Sequence, residues 1–69
     1  MTRTAVTSSN LRSVGYDPSS RTLEIEFKNV TYQYADVPLE VYEALMAATS
    51  LGRYFIQNIK DAYPASKIA

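Results

Sequence analysis

Residues Leu23 to Val37, LEIEFKNVTYQYADV, leave the rest of the chain least freedom. Leu23, Ile25 and Phe27 alternate with Thr22, Glu24, Glu26 and Lys28, the period of two that a half-buried strand requires. Val30, Tyr32 and Tyr34 then alternate with Thr31, Gln33 and Ala35. A two-residue loop at Asn29-Val30 would set Lys28 against Thr31, Phe27 against Tyr32 and Ile25 against Tyr34. That register puts both tyrosines on the apolar face, each cross-strand pair contributing roughly 0.2–1 kcal/mol. A slip of one residue would turn them to solvent. The apolar face must be covered, and the remainder of the chain has to cover it.

Upstream, Asn10 to Tyr16 reads as a first strand with Val14 and Tyr16 on one face, and Leu11 out of phase implies a bulge or a late strand start. Asp17-Pro18-Ser19-Ser20 supplies turn chemistry, and pairing Tyr16 with Leu23 and Val14 with Ile25 makes a three-stranded antiparallel meander. Downstream, Val37-Pro38 ends the third strand and opens a helix, with Pro38 at its first position. Val41, Tyr42, Leu45, Ala48 and Thr49 share its inner face. Leu39 and Met46 widen that apolar arc toward the second helix or a partner subunit. Ser50 reads as the N-cap of a second helix running to about Ala62, with Leu51, Tyr54, Phe55, Asn58, Ile59 and Ala62 inward. A buried Asn58 would need a partner, either the loop between the helices or a core tyrosine hydroxyl.

The expected fold is thus α+β, a three-stranded antiparallel β-meander followed by two α-helices packed on one face of the sheet. With 69 residues there is room for one domain, its ordered core spanning about residues 8–63 between a frayed N-terminus and a loose C-terminal tail.

Composition removes whole classes of chemistry. There is no cysteine and no histidine, which excludes disulfides, thiolate or imidazole metal sites and histidine-based triads. The only glycines, Gly15 and Gly52, are too few for a phosphate loop or a dinucleotide fingerprint. Seven basic and seven acidic residues cancel, so a nucleic-acid partner would have to be held by local charge. The N-terminal MTRTAVTSSN lacks the apolar run of a signal peptide, and no apolar stretch has the length of a membrane span. We therefore expect no catalysis, no cofactor, no metal and no membrane association, in a cytoplasmic protein.

Read together, Val6-x-Ser8-Ser9, Val14-Gly15-Tyr16-Asp17, Leu23-x-Ile25-x-Phe27, Tyr32-x-Tyr34, Val37-Pro38, Ala48-x-Ser50-x-Gly52-x-Tyr54-Phe55 and Ile59-Lys60 with Tyr63 resemble the KTSC domain. This domain is named for its place at the C-terminus of some lysyl-tRNA synthetases and also occurs as a small free-standing protein. The likeness runs from about residue 6 to residue 63. The chain departs from the family pattern at Asn29-Val30, where glycine is expected, and at Ile56, where asparagine is expected. The resemblance implies an RNA-binding module, with tRNA-like or structured RNA as the partner.

On that reading Arg12, Arg53 and Lys60 would contact phosphate and Tyr32 and Tyr34 would stack bases. The bland alternatives are a solvated stripe formed by Arg53, Gln57 and Lys60 and two scaffold tyrosines beneath the helices, which the strand register favours. A second function class is a protein-binding or self-associating adaptor using Leu39, Met46 or Ile56. A third is a small-ligand-sequestering protein with a pocket between subunits.

Overall fold

A computed structural model describes all 69 residues. Seven elements follow in order: β1 (Arg3–Ala5), β2 (Leu11–Asp17), β3 (Thr22–Phe27), β4 (Thr31–Tyr34), α1 (Leu39–Ala47), α2 (Leu51–Asn58) and β5 (Ala65–Lys67). The strands form one antiparallel sheet in the order β1-β2-β3-β4-β5. The fold is α+β with two helices, as the sequence implies, but the sheet has five strands rather than three. Val14, Leu23, Ile25 and Tyr34 from its inner face form a single core with Leu45 of α1, Phe55 of α2 and Ile59 beyond it. Seven of the core side chains are essentially inaccessible, each worth about 1.5–3 kcal/mol in burial.

In the central meander Tyr16 pairs with Leu23 and Val14 with Ile25, as expected. A bulge separates Leu11 from Ser13, because Leu11 pairs with Phe27 while Ser13 pairs with Glu26. The extra residue is Arg12, and the bulge returns Leu11 to the apolar face from its out-of-phase position. The Asp17 turn is held by the Ser19 N–H (3.0 Å) and hydroxyl (2.7 Å), both donating to Asp17 Oδ1. Those bonds, the Ser19 hydroxyl first, hold the exposed carboxyl below its ordinary pKa.

At the β3–β4 hairpin the expected loop is displaced by one position. Phe27 N–H donates to Val30 O at 2.8 Å, so the connecting pair is Lys28-Asn29, with Leu23 opposite Tyr34 and Ile25 opposite Tyr32. The physical reason is that exposed Lys28 and Asn29 tolerate the turn, whereas Val30 is half-buried against neighbouring apolar groups. The register moves by two, so every side chain keeps its face.

Both chain ends, read from the sequence as a frayed segment and a loose tail, are strands. β1 lies on β2 with Arg3 opposite Gly15. A Cβ at Gly15 would stand 2.9 Å from Arg3 Cγ and 3.0 Å from the Thr2 carbonyl oxygen, so glycine is what admits this close approach. β5 lies on β4, with Tyr32 opposite Lys67 and Tyr34 opposite Ala65. Neither end shows the apolar alternation that marks a strand in sequence, because every residue of β1 and β5 is exposed.

The helices also differ in detail. Pro38 is the N-cap of α1 rather than its first residue, and Ala48 already leaves the helix. Ser50 caps α2 as expected, its Oγ accepting from Arg53 N–H at 3.3 Å. However, α2 ends at Asn58 rather than near Ala62. Ile59 and Lys60 N–H both donate to Phe55 O at 2.9 Å, a turn that drives Ile59 into the core and sends the chain back toward the sheet. Asn58 is exposed, and its side-chain amide donates to the Tyr54 carbonyl at 3.2 Å instead of entering the core.

The outer sheet face is polar and internally bonded. Glu24, 12% exposed, pairs with Arg3 at 3.4 Å and accepts from Gln33 Nε2 at 2.9 Å. Ser13 Oγ donates to Glu26 at 2.9 Å.

Candidate functional site: an aromatic and lysine-lined groove

Where the β3–β4 hairpin meets α2, two adjoining clefts open and share Phe27, Val30, Phe55 and Lys60. The smaller, of about 350 Å³, adds Tyr32, Tyr34 and Ala65, with Asp61 beside Lys60. Four rings frame it in a closed sequence of contacts. Phe27 meets Phe55 at 5.3 Å between centroids and Tyr32 at 6.2 Å, while Tyr34 meets Tyr32 at 6.3 Å and Phe55 at 5.6 Å. Three of the four contacts are edge-to-face, the arrangement in which a positive ring edge meets a negative ring face.

Tyr34 and Phe55 are 4% and 7% exposed, so they are scaffold first, and Phe27 and Tyr32 are the half-exposed rings. Burial, and secondarily the neighbouring Tyr32, pushes the Tyr34 hydroxyl up to about 12. It stays protonated throughout the neutral range.

The larger cleft, of about 530 Å³, has a different chemistry. Lys28 and Lys60 line it together with Asn10, Asn29 and Gly52, and no carboxylate does. The hairpin delivers Lys28 and Asn29, and the turn after α2 delivers Lys60. Asn10 comes from the loop before β2, where Ser8 Oγ accepts from Asn10 N–H (3.2 Å) and Leu11 N–H (3.3 Å). A Cβ on Gly52 would lie 2.7 Å from Asn10 Nδ2. The missing side chain therefore lets the Asn10 amide rest against α2 at the cleft wall.

Of the residues singled out from the sequence, the fold brings together Lys60, Tyr32 and Tyr34. It does not bring in Arg53, which lies with Ser50, Tyr54 and Gln57 in a separate cleft, or Arg12, exposed on the bulge. Ile56, 57% exposed, stands on the wall of the larger cleft. Leu39, 45% exposed, lies elsewhere, beside Tyr16, Pro18 and Arg21, and Met46 is half-buried against the core. Leu39 and Ile56 thus open onto different clefts.

Phe27, Lys28, Asn10 and Gly52 were not visible as site residues in the sequence. Moving the hairpin loop one position back makes Lys28 a turn residue, but its place beside the end of α2 is decided by the packing. Asn10 carries no such signal. Nowhere do three acidic side chains gather as a metal site would need, and no helix is long and apolar enough to cross a membrane.

Comparison with known proteins places these features in a family. The family model of the KTSC domain matches residues 7–63. An uncharacterized protein of Stutzerimonas stutzeri (strain A1501) is 52% identical over 64 residues, covering 91% of this chain and 90% of that protein. A lysine–tRNA ligase of Nostoc sp. is 36% identical over 60 residues, which are 86% of this chain but 11% of the ligase. The crystal structure of a KTSC domain protein from Yersinia pestis superposes with a TM-score of 0.96 at 43% identity, covering 99% of this chain and 97% of its own. That match includes the terminal strands as well as the meander and helices. With the motifs, the architecture and the family model in agreement over nearly the whole length, this chain belongs to the KTSC domain family.

Proposed function

We propose that this protein is a non-catalytic RNA-binding module that holds its partner in the groove between the β3–β4 hairpin and α2. One observation carries the reading: a box of four aromatic rings opens directly into a cleft with two lysines and no carboxylate. Aromatic rings stack on or contact bases of any sequence at about 1–3 kcal/mol each, and lysines contact phosphate. The similarity to part of a lysine–tRNA ligase supports RNA as the polymer. Cysteine-free composition suits the cytoplasm.

The outer sheet face, with Glu24 and Glu26, would repel phosphate. Binding therefore belongs to the groove end of the inner face rather than to an open sheet platform. Of the earlier candidates, Lys60 and Tyr32 carry the reading, Tyr34 supports them from within, and Arg12 and Arg53 lie outside the groove. The adaptor reading is weaker, since Leu39 and Ile56 open onto different clefts.

Fluorescence anisotropy with a labelled single-stranded RNA tests this. Two lysine contacts imply a shallow salt dependence, with log K falling against log salt by roughly 1.4, about 0.7 per phosphate on a single strand. Absence of any affinity at low salt would remove the reading.

A further inference from the structure

We propose that the groove is a one-nucleotide site, taking a single unpaired nucleotide with its base in the aromatic cleft and its phosphate between Lys28 and Lys60. This inference rests on the reading of the groove as a nucleic-acid surface and specifies how much of the polymer it holds.

The dimensions carry the first part. At about 350 Å³ the aromatic cleft is at the small end of the range, roughly 300–1,000 Å³, that ligand sites occupy. Its four rings contact one another in a cycle instead of lying in a row, so it offers room for one base and not for a stacked run. Sheet platforms that read RNA display their aromatics side by side and stack two or three bases. Here Tyr34 is too buried to act in that way, and Phe27 and Tyr32 are left as the accessible rings.

The polarity carries the second part. Lys60, Phe27 and Phe55 belong to both clefts, and the larger cleft adds Lys28, Asn10 and Asn29, which the aromatic one lacks. A nucleotide has the same order, an aromatic body followed by an anion. On the aromatic side Asp61 supplies an acceptor for a base amino group or a ribose hydroxyl. On the other side the two ammonium groups and the Asn10 amide donate toward phosphate oxygens. A base inside a duplex has its edges paired and its faces stacked, so it cannot enter a cleft of this kind without being extruded.

The same chemistry could be met by a free nucleotide or by an unpaired position in a strand, and the test separates them. The full chain, isotopically labelled, is titrated with each of the 5′-ribonucleoside monophosphates, with the corresponding nucleosides, with a single-stranded oligoribonucleotide and with a blunt RNA duplex. We expect at least one monophosphate to shift amide resonances of Lys28, Tyr32 and Lys60. Its nucleoside should bind at least tenfold more weakly, the single strand should bind at the same residues, and the duplex should not compete.

The exposed double variant K28Q/K60Q, whose unchanged spectrum elsewhere certifies folding, should reduce monophosphate affinity to that of the nucleoside. Binding of the single strand without any groove shifts, and undiminished in K28Q/K60Q, overturns the one-nucleotide site while leaving RNA binding standing elsewhere on the surface. Monophosphate binding with no affinity for the strand supports the site and removes RNA as its source. Equal binding of duplex and single strand in the groove overturns the site, and no binding of any of these overturns both readings.

Discussion

Removing residues 65–69 is the sharpest test of the architecture, because the tail has no apolar signature in the sequence and yet closes one edge of the sheet. Ile68 N–H donates to Thr31 O at 2.9 Å and Thr31 N–H donates to Ala69 O at 3.0 Å. At the other end Ala35 N–H donates to Pro64 O at 2.9 Å. Antiparallel pairs alternate between bonded and non-bonded, so the Gln33–Ser66 pair between these two is also a bonded one. The intervening residues Tyr32 and Tyr34 direct their backbone groups to β3, in step with the Phe27–Val30 bond of the hairpin.

Truncation should therefore separate odd positions of β4 from even ones. Each backbone bond is worth a net ~0.5–1.5 kcal/mol, largely offset by the entropy of ordering five exposed residues, so global stability should fall by only about 1–2 kcal/mol. Thr31 is 6% exposed in the intact chain. In the truncated protein its amide and that of Gln33 should exchange with solvent at least tenfold faster, tenfold being about 1.4 kcal/mol. Tyr32 and Tyr34 should keep their protection. Native-state hydrogen exchange read by NMR resolves all four. Equal loss at odd and even positions, or no loss at Thr31, would refute the pairing of β5 with β4.

Phe55→Ala removes the ring that joins Phe27 and Tyr34. It should destabilise by about 3–5 kcal/mol, a large part of the ~3–10 kcal/mol expected for a domain of this length, as urea titration followed by tyrosine fluorescence would show. Gly52→Ala forces only the end of the Asn10 side chain to move. The melting temperature should stay level or rise, since alanine is favoured over glycine in a helix by about 1 kcal/mol, while RNA affinity falls. A clear drop in melting temperature would mean that the helix backbone itself has to shift.

Tyr34 sets an alkaline limit. Its hydroxyl is raised from 10.0 when unfolded to about 12 when folded, so the folded state holds its proton more tightly. The resulting stability is fully present below pH 10 and is lost as pH rises from 10 through 12. Tyr34→Phe should flatten that limb of a denaturation-versus-pH curve. If the wild-type curve is already flat there, the hydroxyl is not buried as described.

The pairing of β2 with β3 and the direction of the tyrosines could be read directly, because alternation fixes which face is dry, but a register moved by two keeps every face, so alternation did not locate the β3–β4 loop. Ser50 as a helix cap was equally legible, and Leu11 marked an irregularity, a bulge or a late strand start, that the structure resolves as a bulge. β1 and β5 were not, since an edge strand exposed on all residues is chosen by a neighbour's unpaired N–H and C=O groups and not by its own side chains.

For the groove, Tyr32, Tyr34 and Lys60 could be named in advance, but their union with Phe27, Lys28 and Asn10 required the early end of α2 and the true hairpin loop. Side-chain patterning decides which face of an element is buried. Only the packed structure decides which residues distant in sequence line the same cleft, because that depends on where each element stops and how its neighbour's backbone closes the gap.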